Sequence, residues 1–527
     1  MADLSPESVA AIAGLYELDD RGRHEAWLGR VRTDREVISL LAEAPIPLEQ
    51  GVIDVHGLVN RPARERWQSR PLAADGESSG PPRTAGQQAA AVQSGETSAV
   101  DLVEEALESA HRQRHLNAFI ALFEERAREE ADAVDRRVWG GEEVGPLAGV
   151  TVAVKDLIDV EGYATTGGTR VLDLAPARED AACVARLRRA GAVILGMANL
   201  HGLAYGALSF NPDFGRVLNP RREEALSGGS SGGSGAAVAA GITAGALGTD
   251  TGGSVRVPAA CCGVVGLKPT FGRVSTAGVY PLGRTMDHVG PVTRTVADAA
   301  LFLEVLSDEP FAASTTAWRD LDGVVVGVPR TYFFDHLSDE VRAAVEDCER
   351  AVVEAGGEVI EADIPSMRFA PAAQLFTIAA DALDVHRQML ARKADLLPED
   401  VRLRLEMGMF FLAADYVRAQ RLRGMLQKDV DAALEKADVL LMPTTAVTAP
   451  DAGVREVRVG DVTWPTQLAL SRLTMPFTAT GHPALTLPWG SDDRGCPVGL
   501  QIVGRPMEEA AILGTGRVLE RTRGAAG

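Results

Sequence analysis

Leu226-Ser-Gly-Gly-Ser-Ser-Gly-Gly-Ser-Gly, Ala236-Ala-Val-Ala-Ala-Gly-Ile-Thr-Ala-Gly-Ala-Leu and Gly248-Thr-Asp-Thr-Gly-Gly-Ser-Val-Arg follow one another without a break. Two glycine- and serine-rich loops flank a run of Ala, Val, Ile and Gly. The run from Ala236 to Leu247 has few bulky side chains, so it reads as a closely packed helix buried under a sheet. Glycine lets backbone take φ > 0 and approach a ligand closely. It also lets successive N–H groups converge on an anion. A nucleophilic serine needs this setting: a turn that exposes its hydroxyl, and donors aimed at the oxyanion formed on attack.

Gly/Ser runs also serve as flexible linkers. A linker would not lead into an apolar run and a second glycine loop ending in Ser-Val-Arg-Val-Pro-Ala-Ala. A phosphate cradle is the other alternative, but neither Gly-x-x-x-x-Gly-Lys-Ser/Thr nor a strand-to-helix Gly-x-Gly-x-x-Gly is present.

Further text agrees with the serine reading. Gly149-Val-Thr-Val-Ala-Val-Lys155-Asp156 lies upstream, and Gly263-Val-Val-Gly-Leu-Lys268-Pro-Thr-Phe-Gly-Arg and Asp287-His-Val-Gly-Pro-Val-Thr-Arg lie downstream. Pro476-Phe-Thr-Ala-Thr-Gly-His-Pro and Pro497-Val-Gly-Leu-Gln-Ile-Val-Gly-Arg follow near the C-terminus. In these motifs, from about Ala85 to Arg521, the chain resembles the amidase signature family, serine hydrolases that use a Ser–cis-Ser–Lys triad. The resemblance implies an α/β fold with a large mixed twisted sheet flanked by helices on both faces.

The chain has 527 residues, enough for one large α/β domain and a small one. At 46% hydrophobic and 24% charged residues, its composition is that of a soluble globular protein. A formal net charge of −20 argues against nucleic acid as a main partner. The five cysteines, Cys183, Cys261, Cys262, Cys348 and Cys496, are odd in number and lack metal-type spacing, so free thiols in a reducing cytosol are expected. No metal and no cofactor is expected. The N-terminus lacks a basic start and an apolar signal core, and no apolar run reaches membrane-spanning length. A cytoplasmic protein without a membrane anchor is expected.

Ser5-Pro6-Glu7 reads as a helix start, followed by Val9, Ile12, Ala13 and Tyr16 at helical spacing. His24 to Leu41 continues as helix, with Trp27, Val31, Ile38 and Leu41 as inner positions. Residues 1–65 therefore read as a small helical N-terminal unit, 66–88 as a linker or wrapping arm, and 89–527 as the catalytic domain. The unit is expected to pack on the main domain or mediate a homodimer; a terminal decoration is the alternative. Ser98 to Val138 reads as helical, including Ala118 to Val134. A strand from Val150 to Val154 then delivers Lys155 at its C-terminal end, where open α/β sheets build their sites. Asp180–Ala190 and Val341–Ala355 read as helices, each stopped by glycine before a strand. Val324–Val328 and Val439–Met442 read as strands, and Met367 to Ala437 as a long helical insertion. In the family that insertion shapes the substrate pocket.

The resemblance assigns Ser254 as nucleophile, Ser230 as the bridging serine after a cis Gly229–Ser230 peptide, and Lys155 as general base. It implies an oxyanion hole from the backbone N–H groups of Thr251, Gly252, Gly253 and Ser254. One such donor is worth about 3 kcal/mol of transition-state stabilisation. A free lysine titrates near 10.4, about three units too high for a base at neutral pH, but burial lowers it. A strand-end salt bridge between Lys155 and Asp156 is the alternative. Ser231 and Arg256 match positions that buttress the triad in the family, and Asp250 is placed to orient the loop. His201, His288 and His482 read as structural. The implied function is hydrolysis of a small carboxylic amide, or of a carbamate or urea-type analogue, through a seryl acyl-enzyme. A glutaminase subunit of a tRNA-dependent amidotransferase and a catalytically dead scaffold are the other classes.

Overall fold

Small side chains decide how closely the central layers approach. In this computed structural model, residues 26–27, 29–30, 34–47, 49–54, 56–61, 83–307 and 318–526 are described. The helix start at Ser5-Pro6-Glu7, the positions from Val9 to Tyr16, Val31 and most of the 66–88 stretch lie outside the described residues.

The strands are β1 (Phe119–Leu122), β2 (Thr151–Lys155), β3 (Val193–Ala198), β4 (Gly245–Asp250), β5 (Val265–Lys268), β6 (His288–Thr293), β7 (Val325–Pro329), β8 (Glu358–Ala362), β9 (Val439–Pro443), β10 (Glu456–Val459), β11 (Val462–Pro465), β12 (Ala484–Ser491) and β13 (Pro497–Gly504). Eleven of them form one sheet in the order β1-β3-β2-β4-β6-β5-β12-β13-β9-β7-β8, and β10 and β11 form a separate hairpin. Strand β2 is parallel to β3 and β4, and β7 is parallel to β8 and β9. The remaining neighbours are antiparallel, so the sheet is mixed.

Alternation sends successive side chains to opposite faces. On β3, Val193 and Leu195 join a core cluster with the helices Ala99–Arg112 and Glu124–Trp139. Ile194 faces the other way, into the main cluster with the helices Ala182–Arg189 and Val296–Leu306, and a register shift against β2 after Ile194 brings Met197 to that face as well. The helix Gly232–Ala239 sits on a stripe of alanines, Ala153, Ala198 and Ala246, from three adjacent strands. Small residues meet small residues there, and the start of this helix lies close to the ends of β2 and β4.

The run from Ala236 to Leu247, expected as one helix, is split. The helix ends at Ala239, Gly241 turns the chain at φ +69°, and β4 begins at Gly245. The small residues of β4 are needed for contact rather than for helix packing. A Cβ on Gly245 would come 2.4 Å from the Phe302 ring, and one on Gly248 would come 2.8 Å from Ser231 Oγ. The expected helix from Ala118 to Val134 likewise opens with a strand, because Asn117 at φ +53° turns the chain and Phe119–Leu122 pairs with the sheet edge. The helix Ala85–Ser94, closed by a Thr84/Gln87 capping box, starts inside the stretch read as linker.

The described part of the N-terminal region lies against the helical insertion. Leu41 and Ala44 enter the main core cluster, and Trp27 is buried against Phe410. Arg418 donates to the carbonyls of Leu41, Ala42 and Ala44 at 2.7, 3.1 and 2.7 Å. Arg421 Nε donates to Gln50 O at 2.9 Å, and Ile53 N–H donates to Gln420 O at 3.1 Å. Leu58 is fully buried against Phe271. Among the described residues, no helix is long and apolar enough to cross a membrane.

Leu58→Ala is expected to cost about 2–5 kcal/mol, the usual range for truncating a buried leucine. Urea denaturation followed by tryptophan fluorescence reads it out; an unchanged midpoint would show that this segment does not dock.

Candidate active site

Four polar side chains collect at one end of the sheet. Strands β2 and β4 run parallel and end there with Lys155 and Asp250. Antiparallel β6 starts there, pairing His288 with Asp250, and β5 ends there with Lys268. All four residues are buried.

Lys155 Nζ lies 2.7 Å from Ser230 Oγ and 2.7 Å from Thr249 Oγ1. The Gly229–Ser230 peptide is cis, as the motif implied. Burial pulls the Lys155 amine down from 10.5 to about 7, although the Asp250 and Asp287 carboxylates act to raise it. At neutral pH much of it is therefore uncharged and able to accept a proton. Asp156 does not pair with it. That carboxylate accepts from the N–H of Thr166 at 2.9 Å, the Thr166 hydroxyl and the N–H of Gly168 at 3.3 Å, and burial pushes it up to about 6. The strand-end salt bridge does not form.

Ser254 sits on the loop between β4 and the helix Arg256–Cys262, and its backbone carbonyl accepts from Ser231 N–H at 3.2 Å. It is only half-buried, whereas Ser230 is fully buried. Among the described residues, no hydrogen bond is recorded from the Ser254 hydroxyl. The Lys155–Ser230 half of the relay is closed and the Ser230–Ser254 half is open. Catalytic hydrogen bonds often tighten only with substrate bound.

Asp250 organises the loop. It accepts from Gly253 N–H at 2.8 Å and Val255 N–H at 3.2 Å, and it pairs with Arg256 through Nε at 3.0 Å and Nη2 at 2.9 Å. Both side chains are fully buried. Burial alone would raise the Asp250 carboxyl, but the Arg256 guanidinium holds it far below the usual carboxylate range. Thr478 and Gln501 complete the guanidinium's partners at 2.8 and 3.2 Å. Since the Gly253 N–H is directed at Asp250, the other predicted oxyanion donors are Thr251, Gly252 and Ser254. No hydrogen bond is recorded for these three N–H groups among the described residues. Gly253 has φ +129°, and a Cβ there would come 2.1 Å from Thr474 Oγ1. Only glycine fits.

Ser231 does not touch Lys155. Its hydroxyl accepts from Thr249 N–H and donates to Thr249 O, both at 3.3 Å, and so holds the strand that presents Thr249. His288 Nδ1 lies 2.6 Å from Met286 O and 3.1 Å from Asp250 O, so Nδ1 carries the proton and Nε2 accepts from Lys268 Nζ at 3.1 Å. His201 Nε2 lies 3.0 Å from Asp400 and His482 Nε2 3.1 Å from Asp431. All three histidines are locked into the framework.

Sequence reading missed Thr249, Gln374, Thr474 and Asp287. Thr249 was not legible from alternation: Ala246 and Gly248 face the helix Gly232–Ala239 and Ser231, so strict alternation turns Thr249 away, yet its hydroxyl lies 2.7 Å from Lys155 Nζ at the strand end. Gln374 comes from a distant helix and Thr474 from the turn before the helix Met475–Ala479, and nothing local marks them. Asp287, which opens the motif Asp287-His-Val-Gly-Pro-Val-Thr-Arg, accepts the Thr251 hydroxyl at 2.6 Å, and burial pushes its carboxyl up to about 6.

The profile of the family described as Amidase matches residues 101–513. The chain is 38% identical over 446 residues to AtzE, the 1-carboxybiuret hydrolase subunit of Pseudomonas sp. (strain ADP), covering 82% of this chain and 96% of that protein. It is 33% identical over 478 residues to a glutamyl-tRNA(Gln) amidotransferase subunit of Lachnospira eligens, covering 84% of this chain and 98% of that protein. A solved structure described as an amidase superposes with a TM-score of 0.79 at 37% identity, covering 83% of this chain and 99% of that one.

Asp250→Asn would leave a buried guanidinium without its counter-charge. It is expected to cost about 3–5 kcal/mol of stability. Thermal unfolding checks this, and a loss below about 1 kcal/mol would show that Arg256 finds another partner.

Proposed function

The chain belongs to the amidase family and is a hydrolase of carbon–nitrogen bonds, and from that premise we propose that Ser254 attacks the substrate carbonyl with Ser230 and Lys155 as its proton relay. The observation that carries this reading is the fully buried Lys155 amine 2.7 Å from the Ser230 hydroxyl, where burial brings its titration down to about 7.

In the proposed sequence, Ser254 Oγ bonds to the carbonyl carbon and gives its proton to Ser230, which passes its own proton to Lys155 Nζ. The N–H groups of Thr251, Gly252 and Ser254 take up the oxyanion. The relay then reverses, and the proton goes to the departing nitrogen as the C–N bond breaks. Water attacks the acyl-enzyme by the same route and releases the acid and Ser254. Thr249 accepts a hydrogen from the uncharged amine, which leaves the nitrogen lone pair for Ser230.

The substrate is proposed to be a small-molecule carboxylic amide. The likeness to a 1-carboxybiuret hydrolase subunit brings urea-type substrates into range. The likeness to an amidotransferase subunit supports the second reading, a glutaminase working with partner subunits and tRNA. Glutaminase turnover that appears only with those partners would favour it; turnover of simple amides by the isolated chain would favour the first. Five buried free thiols support a cytoplasmic setting. A homodimer through residues 1–65 accompanies the proposal, and a monomeric mass by light scattering would remove it.

Ser254→Ala and Lys155→Ala are each expected to lower kcat by about 10⁴-fold or more while preserving the fold. The uncharged amine is the active form, so kcat/KM is expected to rise as pH passes about 7 and to level off above it. A rate that falls over that interval, or either alanine variant retaining wild-type turnover on an amide panel, would defeat the mechanism.

A further inference from the structure

A planar peptide points its C=O and the next residue's N–H in opposite directions. Holding the oxygen therefore aims the hydrogen. Along the nucleophile loop, each carbonyl is held from behind. His288 Nδ1 meets Asp250 O at 3.1 Å and thereby aims Thr251 N–H. Thr474 Oγ1 donates to Gly252 O at 2.8 Å, Val257 N–H to Gly253 O at 2.7 Å, and Ser231 N–H to Ser254 O at 3.2 Å. The remaining carbonyl, Thr251 O, accepts from Gln374 Nε2 at 2.6 Å.

From this arrangement we propose that Gln374 is a positioning residue of the oxyanion-binding loop. It fixes the Thr251–Gly252 peptide and so aims Gly252 N–H at the developing oxyanion. The inference rests on the Ser254 mechanism above and adds a residue from outside the sequence motifs. Two further observations support it. Gln374 is 2% exposed, and its Oε1 has no hydrogen-bond partner among the described residues. Its bond to Thr251 O is therefore what orients the buried amide. A Cβ on Gly252 would come 3.2 Å from Gln374 Nε2, so the amide packs directly on the peptide it steers. Gln374 stands on the helix Ala370–Lys393, within the insertion expected to shape the pocket. The same helix thus joins the substrate-binding region to the donor that stabilises charge.

Gln374→Leu keeps the side-chain size and removes the donor. In the purified full chain, kcat on a turned-over amide is expected to fall roughly tenfold to a hundredfold, with KM within about twofold and the thermal midpoint unchanged. Gln374→Glu donates only as the protonated acid. Its kcat relative to wild type is therefore expected to rise as pH falls through that carboxyl's titration, which burial raises. A folded leucine variant within about twofold of wild-type kcat overturns the proposal. So does a rise in KM alone, which would mark direct substrate contact. If the leucine variant does not fold, the glutamate ratio decides, and a flat ratio across pH overturns the proposal. Ser254→Ala, run in parallel, separates the two ideas: its loss of turnover keeps the serine reading whatever Gln374 does.

Discussion

A lysine amine enclosed by protein, with hydroxyls and no carboxylate in contact, is the condition on which the site depends. Lys155 is fully buried, and its hydrogen-bond partners are Ser230 and Thr249. A carboxylate beside it would stabilise the ammonium and keep the amine protonated at neutral pH. The fold accepts a cost for this. In the unfolded chain the amine holds its proton up to about 10.5, and in the folded chain only up to about 7. The unfolded state therefore binds more protons between these values, so the penalty is full below about 7 and is relieved as pH rises towards 10.5. The alanine stripe under the helix Gly232–Ala239 makes the enclosure, since it brings the Ser230 turn down onto the ends of β2 and β4.

The nucleophile loop solves a second problem, the placement of donors that no side chain provides. Glycine frees the backbone to reach its conformation, and it would leave the loop loose if nothing else held it. Here Asp250 ties Gly253 and Val255 from inside, and hydrogen bonds from four other elements tie the carbonyls from outside. The buried Asp250–Arg256 pair is the anchor of the arrangement, linked by Thr478 to the helix Met475–Ala479 and by Gln501 to β13.

Much of this was legible. The motifs carried the mixed α/β sheet, and the strand ending at Lys155 was visible from its Val-Ala-Val run alone. The reading failed where residues serve contacts rather than propensity. Gly245 looks like part of a small-residue helix and Gly248 like the start of a loop, yet both are strand residues, and Phe302 and Ser231 occupy the space a side chain would need. Phe119–Leu122 has helical neighbours on both sides and becomes a strand because the sheet edge at β3 is open to it. Gln374 and Thr474 could not be found from local pattern, since their role exists only once distant elements are brought to the loop.

The arginines that grip the N-terminal region reach for main-chain oxygens of Leu41, Ala42, Ala44 and Gln50. Such a clasp is blind to which side chains the gripped segment carries. Leu41 and Ala44 are fixed by the core they enter, while the exposed Ala42, Glu43 and Pro45 between and beside them carry no such constraint. Two guanidinium groups thus hold the segment by its main chain, and its few inward side chains alone set which sequence fits beneath them.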